Sequence, residues 1–391
     1  MSGWSRFPLR ELVVEGRPAA IAAASPRVWN LNLDQIEPNT GRVISKHVVD
    51  IESVGPSTYP FEAGTVLYSK LRPYLNKVTV ADESGVATTE LVPLRCRPER
   101  LLPQYLAYFL RSDEFLGFAS TVAVGAKMPR MVMGKFWGYE IPVPPLPAQR
   151  RIAAILDQAD ALRTKRREAL AQLDELQQSI FIEMFGDPGS NPMGWPEREL
   201  GDLIVGKSNN GIFKKNDEYG DGMPVTWVED LFRGNTIDVS ESRRLQPTDK
   251  EIEQYGLRNG DILFCRSSLK LAGIGYNNVY LGEDKKALFE CHVIRLSPNK
   301  TKVSPEFLNF ALRMPNQRQK LFKFAKTVTM STIDQDGLQR ISVPIPPLEA
   351  QNLFSERLRA IDGIRFQHVA ALSAQDTLFS SLQHRAFHGE L

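Results

Sequence analysis

From Ala148 to Phe185 apolar residues recur every three or four positions without a single Pro or Gly: Ile152, Ile155, Ala159, Leu162, Ala169, Leu173, Leu176 and Ile180. This is heptad spacing, which marks a helix burying one stripe, and Arg166 interrupts it. The pattern returns later with Phe354, Ile361, Ile364, Ala371, Leu378 and Leu382, and His368 stands where Arg166 stood. At 1.5 Å per residue, roughly 38 residues make a helix about 57 Å long. A helix of that length with one apolar stripe needs a partner, and its duplicate is the nearest. The expected arrangement is an intramolecular antiparallel coiled coil, with packing of each helix on its own globular part as the alternative. Gly363 is a weak spot in the second helix.

Outside these helices the period is shorter. Thr65–Tyr68, Val78–Val80 and Val86–Leu94 are β-rich runs separated by Gly, Pro and Asp, which predicts a small irregular sheet. Pro103–Phe118 and Pro305–Phe324 show helical spacing of Leu, Tyr and Phe, with a proline suited to each first turn. Gly186 to Pro196 is dense in turn formers and reads as a linker.

The chain repeats itself. Pro142-Val-Pro-Pro-Leu-Pro-Ala-Gln149 recurs as Pro344-Ile-Pro-Pro-Leu-Glu-Ala-Gln351 at an offset of 202. The same offset aligns Pro103–Leu106 with Pro305–Leu308. Gly64–Ser69 matches Gly260–Cys265 at 196, and Trp4, Leu9 and Leu12 match Trp195, Leu200 and Leu203 at 191. Collinear matches at a growing offset mean two duplicated domains, with insertions in the second. The expected boundaries are a globular part at 1–146, a helix at 147–185, a linker at 186–196, a globular part at 197–346 and a helix at 347–391. Each globular part is α/β (α+β) with mixed sheets, and the two are expected to be related by a pseudo-twofold axis.

Composition narrows the class only slightly. The 391 residues are 42% hydrophobic and 24% charged, ordinary for a soluble globular protein. No apolar run is long enough for a membrane span, and residues 1–10 lack a signal-type apolar segment. Cys96, Cys265 and Cys291 give neither pairing arithmetic nor CxxC spacing, so no disulfide framework or zinc site is indicated, and a cytoplasmic location is expected. Net charge is only +2, but its distribution is uneven. Phe115–Tyr139 and Phe307–Ile333 contain no acidic residue, and both contain several Lys and Arg.

Catalytic motifs are weak. Gly201–Ser208 matches GxxxxGK[ST], yet its interior is strand-like and Asn209-Asn-Gly starts no helix, so Lys207 is not expected to cradle phosphates. It also lies opposite Leu12–Gly16, at the start of a globular copy. Asp187-Pro and Asn191-Pro are linker dipeptides, not the [DN]PP[FYW] of adenine methyltransferases. No HExxH occurs, and His384 with His388 reads as a surface pair.

The duplicated Pro-Pro-Leu box opening each long helix, the two-copy layout and Leu67-Tyr-Ser-Lys-Leu-Arg-Pro-Tyr-Leu-Asn-Lys77 resemble the specificity subunit of type I restriction–modification systems. The resemblance covers essentially the whole chain. It implies two target recognition domains reading a split double-stranded DNA sequence, with helices that space them and dock two methyltransferase subunits, and restriction subunits that join the complex. It further implies no catalysis on this chain, with S-adenosylmethionine and ATP bound by partners. The competing readings are a nucleotide-dependent enzyme, an autonomous methyltransferase, or a coiled-coil scaffold without DNA readout. The second copy has Cys265-Arg-Ser-Ser-Leu-Lys270 in place of the Lys-x-Arg-Pro run.

Duplex affinity comes from cations at phosphates, and sequence is read at base edges. Lys70 and Arg72, in a turn set by Pro73, are candidates, with Lys77 nearby and Lys127 and Arg130 flanking Met128-Pro129. In the second copy the candidates are Arg266, Lys270 and Lys326. Lys214, Lys215, Arg243 and Arg244 lie in stretches absent from the first copy. Phe322 and Phe324 are expected to anchor the core. For docking and the helix seam the candidates are Ile152, Ile155, Leu162, Leu173, Leu176, Ile180, Phe354, Ile361, Ile364, Leu378 and Leu382.

Overall fold

The computed structural model describes residues 4–14, 26–327 and 330–391. Glu15 and Gly16 of the match to Gly201–Ser208, and Val328 and Thr329 of the second acid-free stretch, lie outside them. The chain forms two compact units. One gathers the chain up to Glu168 together with Val369–Leu391, and the other is Ala169–His368.

In the first unit an antiparallel sheet orders the strands Val13–Val14, Leu91–Cys96, Val66–Ser69 and Val78–Val80. A second sheet orders Val48–Asp50, Arg27–Leu31, Gly85–Thr88 and Thr58–Phe61, with its middle pair parallel. The predicted run Val86–Leu94 is therefore two strands in different sheets, broken by Thr89 and Glu90. The helix expected over Pro103–Phe118 is also two, Pro103–Leu110 and Asp113–Val122. The Ser112 hydroxyl caps the second by accepting from the Phe115 amide.

The second unit repeats this order. Asn209–Asn210, Val293–Leu296, Ile262–Cys265 and Asn277–Val279 form its antiparallel sheet, and Met223–Thr226 pairs in parallel with Leu288–Phe289. Pro305–Arg313 and Pro315–Phe322 replace the single helix expected over Pro305–Phe324, because Pro315 restarts the helix. Phe322 and Phe324 pack against the core as expected. In both units the starting strand pairs with the strand before the Pro-rich box: Arg6–Pro8 with Glu140–Pro142, and Glu197–Glu199 with Ser342–Pro344.

The long helices run Leu146–Phe185 and Leu348–Phe387. Within the first unit they pair antiparallel, Arg163 Nε meeting Asp376 Oδ1 at 2.6 Å. Ile152, Leu156, Phe379, Ala386 and Phe387 join that unit's core. The second unit pairs the other halves, Gln177 with Asp362 at 2.8 Å and Arg365 with Asp174 at 3.2 Å, and adds Phe181, Phe185, Phe354 and Leu358 to its core.

The seam differs from the expected one. Ile152, Phe354 and Ile361 are buried, and Ile155, Leu173, Ile180 and Leu382 are half-buried. Leu162, Leu176, Ile364 and Leu378 are exposed. Their neighbours Arg163, Gln177, Arg365 and Phe379 point inward instead. The cause is that the inward steps include polar residues. Arg163 and Gln177 satisfy their donors across the helix pair, so an apolar-only count steps by three where the chain steps by four.

Candidate nucleic-acid interface

The strand Val66–Ser69 delivers Lys70 and Arg72 to the surface. Arg72 adopts a left-handed φ of 48° and Asn76 one of 51°, bracketing the turn Pro73–Leu75. Arg72 donates its backbone N–H to the Pro129 carbonyl at 2.7 Å, and Met131 donates to Lys70 at 2.8 Å. Leu71 and Arg130 form a β-bridge. The two basic segments chosen from sequence, 70–72 and 127–130, are thus one surface. Arg72 and Lys127 are exposed on it, and Lys70 is half-buried. Among the described residues no carboxylate pairs with these three. Arg130 is oriented by Glu90, whose carboxylate accepts from Nη2 at 3.1 Å and from Nε at 3.3 Å.

Lys77 does not join them. Its ammonium donates to the Leu33 carbonyl at 2.5 Å, and burial holds its pKa below the usual lysine value. It staples the two sheets' connecting loops and is not available to a phosphate.

The second copy builds the same platform. Arg266 donates its N–H to His292 O at 2.8 Å, and Ile333 donates to Arg266 O at 3.0 Å. Ser267 and Ser268 pair with Thr332 and Ser331. Arg266 and Lys270 are exposed here. Arg266 Nη1 donates to Cys291 O at 3.3 Å. Lys326 lies on the adjoining strand but is tied to Asp334 at 2.8 Å, a hydrogen bond that raises its pKa.

The remaining candidates divide. Lys214 is held between Glu251 and Glu218 at 3.0 and 3.4 Å, and these partners raise its pKa. Lys215 is exposed. The Arg243 guanidinium lies 4.8 Å from the Trp227 ring, while Arg244 donates to the Gly222 carbonyl at 3.0 Å. Much of the basic stretch after Phe307 is structural: Arg318 donates to the carbonyls of Ala272 and Ile274 and sits against Tyr276 and Phe322. Sequence reasoning missed Glu90 and His292. The signal was present, since the 202 offset sets one opposite the other.

Gly201–Ser208 does not take the strand–loop–helix form of a phosphate-binding loop. Leu200–Leu203 is a 3-10 turn, Asn209–Asn210 is a strand, and Ser208 is buried against Gln335 and Gln339. Phosphate binding of this type needs a helix N-terminus there. No helix among the described residues is long and apolar enough to cross a membrane.

The type I restriction modification DNA specificity domain matches residues 41–173 and 192–372. The StySPI type I restriction enzyme specificity subunit of Salmonella potsdam is 27% identical over 338 residues, covering 78% of this chain and 72% of its own. The EcoKI specificity subunit of Escherichia coli K12 is 25% identical over 315 residues, covering 75% and 67%. The fold is similar to the S subunit of the type I system of M. genitalium, with TM-score 0.57 at 16% identity over 99% of this chain and 96% of that one.

Proposed function

The chain belongs to the type I restriction modification DNA specificity family, and we propose that it reads a split double-stranded DNA target, one half-site per globular copy. Two methyltransferase subunits dock on its long helices and restriction subunits join them. Methyl transfer and ATP-driven steps occur on those partners, which bind S-adenosylmethionine and ATP. This chain supplies address, not chemistry, within the cytoplasm.

One observation carries this reading. Each copy presents the same hydrogen-bonded platform, built from the end of its central strand and the segment before its last short helix, yet clothes it with different side chains. A shared frame with divergent faces suits two readers of unlike sequences. Cations such as Arg72, Lys127 and Lys270 supply the phosphate contacts that hold the register.

The test is co-expression with the neighbouring methyltransferase gene and genome-wide mapping of adenine methylation. A split motif with a fixed gap is expected. An unsplit motif, or sequence-independent binding by the assembled complex, would overturn the proposal.

A further inference from the structure

Three positions on the platform are structurally equivalent in the two copies, and their backbone bonds establish the equivalence. Lys70 donates to Glu90 O at 3.0 Å as Arg266 donates to His292 O at 2.8 Å. Lys70 O accepts from Met131 as Arg266 O accepts from Ile333. Leu71 bridges to Arg130 as Ser267 pairs with Thr332. Lys70, Glu90 and Arg130 of one copy thus occupy the places of Arg266, His292 and Thr332 in the other.

The chemistry at these places is organised, not scattered. Glu90 grips the Arg130 guanidinium through two nitrogens, which fixes the plane of a fork that fits the O6 and N7 acceptors of guanine. The carboxylate's spare lone pairs can accept from a cytosine amine. In the other copy His292 Nδ1 lies 2.8 Å from Glu290 Oε2, a buried carboxylate that also accepts the His292 N–H at 2.9 Å. A carboxylate only accepts, so Nδ1 carries a proton, which fixes the ring and leaves its exposed Nε2 edge to meet a base. Thr332 is exposed beside it, with a hydroxyl and a methyl group suited to thymine.

We infer that Lys70, Glu90 and Arg130 set the base preference of one half-site, and that Arg266, His292 and Thr332, on the same platform, set that of the other. Glu90 and Glu290 are positioning as well as polar groups: each fixes the orientation of the side chain that meets the bases. The inference rests on the proposed function and adds the residues to it.

The test transplants one set onto the other platform in the full chain, co-purified with its methyltransferase subunits. The triple variant K70R/E90H/R130T should alter or relax the first half of the methylated motif and leave the second half and the gap unchanged. Discrimination at the affected base pairs should fall about tenfold or more, as for loss of one bidentate contact. The milder Glu90→Gln keeps size and folding and should relax one position only. Melting curves of both variants should overlay the parent. A well-folded triple variant with an unchanged first half-site overturns the assignment. The proposed function itself would fail differently, by the parent chain giving no split motif.

Discussion

The side-chain carbonyl of Gln149 accepts the backbone N–H of Leu102 at 2.9 Å. Leu102 is the residue on which the helix Pro103–Leu110 begins. The same carboxamide donates to the carbonyls of Arg100 and Pro144, both at 2.8 Å. Gln351 repeats this with Ser304 and Pro346 at 2.8 and 2.7 Å. Both glutamines are fully buried, so the last residue of the duplicated box locks each recognition domain to the start of its long helix.

Replacing Gln149 with Met preserves volume and strands one amide and two carbonyls in the interior. Each orphaned buried group costs about 1–3 kcal/mol. Calorimetry of the full chain should show an early transition for the first unit, several degrees below the parent. Gln149→Glu should be worse, since a buried carboxylate would face two carbonyl oxygens.

The phase of the helix seam is testable by neighbouring truncations. Phe379→Ala removes a buried ring that contacts Tyr108 and lies under Arg163, and should cost about 3–5 kcal/mol. Leu378→Ala removes an exposed side chain and should change stability by no more than about 0.5 kcal/mol. Leu162→Ser, also at an exposed position, should lower affinity for the methyltransferase subunits in co-purification while the melting curve stays put. Equal effects at residues 378 and 379 would show the seam to be wrongly placed.

Gly363 sits in the middle of the second helix with open space around a built Cβ. Gly363→Ala should therefore raise stability by about 0.5–1 kcal/mol through helix propensity alone, read as a higher midpoint in urea.

Arg72 combines a left-handed backbone with an exposed cation. Arg72→Gly relieves a strain of about 1 kcal/mol while deleting one charge. The variant should be no less stable than the parent, yet the slope of log K against log salt for its complex on DNA should fall by about 1. An unchanged slope would remove Arg72 from the phosphate contacts.

The duplication and the two long helices were legible because they rest on chain-long periodicity. The seam's phase was not, since Arg163 and Gln177 count as polar by type but lie inside, paired to Asp376 and Asp362. Strand and helix breaks at Thr89–Glu90, Ser112 and Pro315 are local events within otherwise continuous apolar runs. The cations sorted least well. Whether Lys214 or Lys77 is free depends on Glu251 and Leu33, partners distant in sequence that only the fold brings near. Lys70, Arg72, Lys127 and Arg130 were found as types, but their assembly through Pro129 and Met131 was not foreseeable.

The core of the first unit includes Phe387, whose ring meets Tyr105 and Phe109 at 5.5 and 5.1 Å, together with Ala386 and Phe379. On the ribosome, the helix Pro103–Leu110 therefore emerges with one flank uncovered until residues 369–387 have been made. The unit begun before the other is thus finished after it. A polypeptide truncated before Val369 would carry an incomplete reader exposing an aromatic cleft, the kind of surface that chaperones hold and proteases clear. Fidelity of address is thereby coupled to synthesis of the second long helix.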